Sequence, residues 1–146
     1  MIPEIEAFIN SKHIAVVGVS RQKRKFGNVI FETLQKRGFQ VYPVNPEGSF
    51  SGANQCFRSL EDVPDDVKAA VISTRPSNAM AVVESAIRRQ FEILWFQQGG
   101  DFAEAAAAAQ KAGLKVVTGR CVLLYAPPVT GIHALHRFLA RITKRL

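Results

Sequence analysis

The run from His13 to Asn28, HIAVVGVSRQKRKFGN, constrains this chain more than any other stretch. Ile14 to Val17 is an unbroken apolar run in which three of the four residues are β-branched. Such a run suits a strand buried on both faces, as in a parallel sheet. Gly18 then permits a sharp turn, and a basic loop follows with Arg21, Lys23, Arg24 and Lys25. Beyond that loop the apolar pattern resumes at helical spacing, with Phe26, Val29, Ile30 and Leu34. Strand, glycine turn and helix start together form an anion site. The first N–H groups of a helix have no partner inside it, and the helix dipole adds partial positive charge there. The stretch reads as the first turn of a Rossmann-like domain that holds a phosphorylated nucleotide.

The remaining chain repeats that alternation. Residues 3–10 form a short amphipathic start anchored by Ile5, Phe8 and Ile9. A strand over 13–19 leads to a helix over 28–37, which Gly38 ends. The strand over 39–44 stops at Pro43-Val44-Asn45-Pro46, because prolines so close cannot continue a ladder. Residues 47–68 are irregular, with an edge strand expected over 55–58 and one helical turn over 59–63 capped by Ser59. A strand over 69–74 precedes a helix opened by Arg75-Pro76, with Ala79, Val82, Val83, Ala86 and Ile87 on its buried face. The next strand covers 92–96. Asp101 and Glu104 then have the spacing of a capping box for an alanine-rich helix ended by Gly113. A strand over 114–118 is expected to turn away at Gly119-Arg120-Cys121, and a closing helix is expected over 131–144. Alternation of this kind predicts an α/β, Rossmann-like, doubly wound parallel sheet of about five strands in three α/β/α layers. Counting the weak 55–58 strand as third, the order is 3-2-1-4-5. One domain is expected over 1–146, with its core in 8–122.

Ligands in such sheets bind beyond the carboxyl ends of the strands, where the winding direction reverses. That rule gathers residues 18–25, 45–46, 73–76 and 97–100 around one crevice. The net charge of +7, from 19 basic and 12 acidic residues, suits an anionic partner such as nucleic acid, an acidic membrane surface or a polyphosphate. No apolar run approaches the ~20 residues of a membrane span. The opening MIPEIEAF carries acids where an export signal carries bases, and the two cysteines lack metal-ligand spacing, so a cytoplasmic protein is expected. The loop lacks the G-x-G-x-x-G spacing of a dinucleotide turn, and the second strand lacks the terminal acid that bonds a ribose 2′-hydroxyl. No P-loop motif occurs either.

The ordered set G-V-S, K-F-G-N, Y-P-V-N-P, S-T-R-P, W-F-Q-Q-G and G-R-C resembles the stand-alone CoA-binding domain proteins. These share the Rossmann-like module of the succinyl-CoA synthetase alpha subunit. The resemblance covers roughly residues 8–122, and the tail after Cys121 is longer than in the shortest members. It implies coenzyme A or an acyl-CoA as a small-molecule ligand. It implies phosphates over Gly18, Val19, Ser20, Lys25 and Asn28, with Arg21 in the same loop. It places adenine between Pro43, Asn45 and Pro46 on one side and Ser73, Thr74, Arg75 and Pro76 on the other. The pantetheine arm would run toward Gln98 and Gly99.

Binding without catalysis is the expected role, because no Ser-His-Asp set, paired carboxylates or metal-ligand cluster falls in the crevice. An NADP-dependent oxidoreductase is the first alternative. It needs a tyrosine–lysine pair, and only Tyr42 and Tyr125 are available. A nucleic-acid or acidic-partner binding protein is the second, but the basic face of the closing helix lacks aromatic residues for base stacking. Each plain reading stands beside the sharper one. Arg21, Lys23 and Arg24 suit solvated loop charges, and Asn45-Pro46 suits a strand exit. Cys56 and Cys121 suit small buried hydrophobes, with a CoA disulfide at Cys121 a minor reading. Trp95 suits the core, and His133 and His136, three apart, have no third metal ligand in sight.

Overall fold

In a computed structural model, which describes residues 2–22, 25–50, 52–53 and 55–127, strand and helix alternate as the apolar pattern predicts. The elements are α1 (Pro3–Ile9), β1 (His13–Val17), α2 (Phe26–Lys36), β2 (Gln40–Val44), β3 (Ala69–Ile72), α3 (Pro76–Arg88), β4 (Ile93–Gln97), α4 (Ala103–Lys111) and β5 (Lys115–Arg120). A 3-10 turn, Val122–Leu124, follows. All four strand pairings are parallel, and the sheet order is β2-β1-β3-β4-β5. An isolated parallel bridge joins Val44 to Phe57, so the expected edge strand contributes one bridge outside β2. Counted as third, it gives the order 3-2-1-4-5-6, which keeps the expected 3-2-1-4-5 and adds β5 as a sixth strand at the far edge.

Side chains on successive strand positions point to opposite faces. The β1, β3 and β4 runs therefore feed two cores at once. Ile14, Val16, Ala69, Val71, Ile93 and Trp95 pack with Ile5, Phe8, Ile30, Phe31 and Leu34 of α1 and α2. Ala15, Val17, Ala70, Ile72, Leu94 and Phe96 pack with Ala79, Val83, Ala86, Ala105 and Ala109 of α3 and α4. That division is the three-layer sandwich. Small residues on α3 and α4 let both helices lie close to the sheet, whereas Phe8 reaches Trp95 edge-to-face at 5.1 Å on the other side. Trp95 is fully buried, as its apolar strand predicts.

Helix ends follow backbone chemistry. Gly38 and Gly113 adopt φ of +97° and +94°. Phe39 N–H then reaches back to the Leu34 carbonyl, and Leu114 N–H to that of Ala109. Gln90, at φ +56°, performs the same closure for α3 without being glycine.

Five local expectations are corrected. Residues 59–63 form one isolated hydrogen-bonded turn rather than a helix, in which Asp62 N–H donates to the Ser59 carbonyl at 3.2 Å and Ser59 Oγ accepts the Glu61 N–H at 3.1 Å. The capping box is not formed, because α4 begins one residue late with Phe102 as its cap. Asp101 accepts only the Ala103 N–H, at 3.2 Å. β5 does not turn away at Gly119. It continues through Arg120 by absorbing an extra residue, since Val117 pairs with Trp95 but Arg120 pairs with Gln97. Gly119 supplies the φ of +69° in that bulge. Finally, β4 is shifted one residue along the chain from the expected 92–96, and α2 begins two residues earlier than expected. The expected closing helix, with His133 and His136, and the loop cations Lys23 and Arg24 lie outside the described residues.

Candidate functional site

The winding reverses between β1 and β3, and a cavity of about 510 Å³ lies there, beyond the carboxyl ends of β1, β2 and β3. Two glycines shape its floor. Gly18 has φ +115°, and a Cβ there would lie 2.2 Å from the Ser73 carbonyl oxygen. A Cβ on Gly27, in the first turn of α2, would lie 2.3 Å from the Gly18 carbonyl oxygen. The helix start, the β1 turn and the β3 exit are thus in direct backbone contact. The G-x-G-x-x-G spacing is missing, yet two of its physical roles, the tight turn and the close helix approach, are filled.

Nine expected residues line the cavity: Gly18, Val19, Ser20, Lys25, Asn45, Pro46, Ser73, Thr74 and Arg75. Lys25 caps α2 and Arg75 caps α3, and neither helix start receives a side-chain cap. Cations are disfavoured at the positive end of a helix dipole, so both ends stand ready for an anion.

Two of the polar residues expected in contact with ligand are internal struts. Asn28, 5 % exposed, accepts the Ser20 N–H at 2.8 Å and donates to the Ser20 and Gln22 carbonyls at 2.8 and 3.1 Å. Asn45 accepts the Gly48 N–H at 2.7 Å and donates to the Val19 and Ser49 carbonyls at 3.2 and 2.8 Å. Between them they fix the loops after β1 and β2. Arg21 does not line the cavity and is exposed, paired with Glu47 at 2.9 Å.

The other expected residues lie apart from this cavity. Pro43 is buried in β2, where its carbonyl accepts the Phe57 N–H at 2.9 Å. Pro76 faces a smaller hollow with Met80 and Phe102. Gln98 and Gly99 form an exposed turn after β4. Their neighbour Gln97 is buried and accepts the Val122 N–H at 3.1 Å.

Sequence reading missed Arg58, Ser59 and Leu60, and also Ser77, Asn78, Ala81, Val82 and Ser85 on α3, all of which line the cavity. The signal for Arg58 was present. It follows the weak edge strand, and the carboxyl-end rule applies to that strand as to the others.

The cavity's electrostatics are one-sided. Lys25, Arg58 and Arg75 line it, and no Asp, Glu, His, Cys or Tyr does among the described residues. Elsewhere several arginines are matched by acids. Arg88 and Arg89 pair with Glu61 and Asp65, and the Arg88 bond holds the Glu61 carboxyl below its ordinary range. Tyr42 bonds His13 and Tyr125 bonds Arg120, so neither tyrosine serves a crevice lysine. Cys56 is half-buried, which pushes its thiol pKa up, and Cys121 is buried.

The chain is similar in sequence and fold to known proteins. The chain is 26% identical over 135 residues to an ADP-forming acetate–CoA ligase II of Archaeoglobus fulgidus, covering 90% of this chain but only 20% of the ligase. It is 25% identical over 117 residues to the uncharacterised protein YneT of Bacillus subtilis, covering 80% of this chain and 87% of that one. A conserved hypothetical protein from Pyrococcus furiosus superposes with a TM-score of 0.71 at 36% identity, covering 77% of this chain and 97% of that chain. The chain thus spans about one fifth of the ligase and nearly all of the two small proteins. No helix among the described residues is long and apolar enough to cross a membrane. With residues 12–127 matching the model of the CoA binding domain, around a crevice that offers three cations and no acid, the chain belongs to that CoA-binding family.

Proposed function

We propose that the crevice binds coenzyme A or an acyl-CoA as a reversible ligand, and that this chain performs no chemistry on it. The observation that carries the reading is the lining: two uncapped helix starts, three cations and no carboxylate. A pyrophosphate over Gly18, Val19, Ser20 and Lys25 would meet the first N–H groups of α2 and a charged donor together. An adenine between Asn45-Pro46 and the Ser73–Arg75 turn would cover the apolar strip of Leu60, Ala81 and Val82, which also lines the cavity. From there the pantetheine arm runs over Pro76 toward Gln98 and Gly99.

The described lining has serine and threonine hydroxyls but no Asp, Glu or His to activate them, which supports binding without turnover. The ligase similarity reaches only a fifth of that protein, and acetate–CoA ligation is not carried over to this chain.

The test is calorimetric titration of CoA, dephospho-CoA, NAD and NADP in parallel at one ionic strength. CoA should bind most tightly and raise the melting temperature, since a ligand selective for the folded state stabilises it. Equal or tighter binding of NAD would refute the reading.

A further inference from the structure

In sheets of this class the end of the second strand faces the adenosine ribose. An acid there accepts from a free ribose hydroxyl, and a nearby arginine accommodates a ribose phosphate. Here β2 ends in Val44-Asn45-Pro46-Glu47. The Asn45 side chain is consumed by its own loop, and Glu47 is neutralised by Arg21. The acid that would hold a free hydroxyl is therefore missing from the cavity.

Arg58 stands in its place. Its backbone position is fixed by the bridge beside β2, where Asn45 N–H reaches the Phe57 carbonyl and Phe57 N–H reaches that of Pro43, both at 2.9 Å. Its side chain lies across Gly48, where a Cβ would come within 3.0 Å of Arg58 Cγ and 3.1 Å of Nε. The guanidinium meets the Pro46 carbonyl through a long 3.4 Å bond from Nη1. The remaining donors of the fork make no other side-chain or backbone bond among the described residues, and no carboxylate lies within ion-pair range there. A planar fork with unused donors, beside the ribose end of the cavity, matches the geometry of a phosphate monoester. Lys25 and Arg75 belong to the two helix starts instead.

We infer that Arg58 is the residue that recognises the ribose 3′-phosphate, and so makes the crevice select CoA over its dephospho form. The assignment rests on the CoA reading above. It divides the cavity into two anion subsites: a pyrophosphate subsite at the helix starts and a phosphomonoester subsite at Arg58.

The test measures CoA and dephospho-CoA affinity for the parent, Arg58→Ala, Arg58→Lys and Arg21→Ala at matched ionic strength. Melting temperatures without ligand check that each variant is folded. The parent should prefer CoA by about tenfold or more, the worth of a charged hydrogen-bonded pair. Arg58→Ala should lose that preference through weaker CoA binding alone, while dephospho-CoA binds as before. Arg58→Lys should keep part of it, because charge remains without the fork. Loss of the preference in Arg21→Ala instead, equal loss for both ligands in Arg58→Ala, or no loss in Arg58→Ala overturns the assignment. So does a parent that binds the two ligands equally, although CoA binding itself then stands. A parent that binds neither ligand refutes the CoA reading, and the assignment falls with it.

Discussion

Asn28→Ala separates a residue that shapes the site from one that touches ligand. The side chain makes three hydrogen bonds to the β1–α2 loop: one from Ser20 N–H and two to the carbonyls of Ser20 and Gln22. A neutral bond of this kind contributes about 1 kcal/mol net. Ser20 is half-buried and Gln22 exposed, so water can replace part of what is lost. The expected cost is about 2 kcal/mol, which for a domain of this length lowers Tm by roughly 4–8 °C. Urea unfolding followed by the fluorescence of the buried Trp95, the one tryptophan of the chain, reads the change directly. Ser20→Ala is the control. Its hydroxyl accepts only the exposed Gln22 N–H, at 3.1 Å, and its loss should cost well under about 1 kcal/mol. CoA affinity should fall in Asn28→Ala as well, because a loop no longer held must be ordered on binding. If Asn28→Ala unfolds within about 0.5 kcal/mol of the parent, the three bonds do not hold the loop and the reasoning is wrong.

Lys25→Ala should weaken CoA about tenfold to a hundredfold at low salt, the worth of one charged hydrogen bond, while leaving the fold intact because the side chain is exposed. Unchanged affinity by calorimetry would remove the pyrophosphate from the start of α2. Gly27→Ala should destabilise by about 3 kcal/mol, because its Cβ would sit 2.3 Å from backbone that cannot rotate away. A urea midpoint equal to the parent's would show that the helix start can lift off the β1 turn at no cost. Burial pushes the Cys56 thiol up, so in a Cys121→Ala background its alkylation should rise with pH later than that of a free cysteine. A midpoint at or below the free-thiol value contradicts that environment.

The fold was legible because the strands carry their own evidence. Ile14 to Val17, Ala69 to Ile72 and Ile93 to Phe96 are apolar at every position, which only a sheet covered on both faces accommodates. The crossover rule then left one order. What stayed hidden depended on contacts between distant loops. The strut roles of Asn28 and Asn45 depend on which carbonyls the folded loops bring to them, across separations as long as 26 residues for Asn45 to Val19. Gly119 reads equally well as a turn or as a bulge, and only its pairing across to Gln97 decides. Asp101 and Glu104 have the right spacing for a capping box, but Phe102 packs against Phe96 with ring centroids 5.4 Å apart. The helix therefore starts one residue beyond the position the box requires.

Net charge was a weak guide to this site, and the distribution of charge is a strong one. Most of the described arginines are absorbed by the protein itself. Arg21, Arg88 and Arg89 bind carboxylates, Arg37 donates to the Leu123 and Ala126 carbonyls, and Arg120 donates to Tyr125. A tally of basic residues therefore counts charges absorbed by the fold together with those left at the cavity. The charges that remain beside the cavity are Lys25, Arg58 and Arg75, each placed by backbone at the carboxyl end of the sheet. Gathering three like charges around one cavity costs repulsion in the empty protein, and no acid in the described lining offsets it. A polyanion relieves that repulsion when it binds. On the CoA reading proposed above, the same electrostatic term gives affinity for the ligand and makes the ligand stabilise the fold. Added salt, which screens both, should reduce CoA affinity and CoA-dependent stabilisation together.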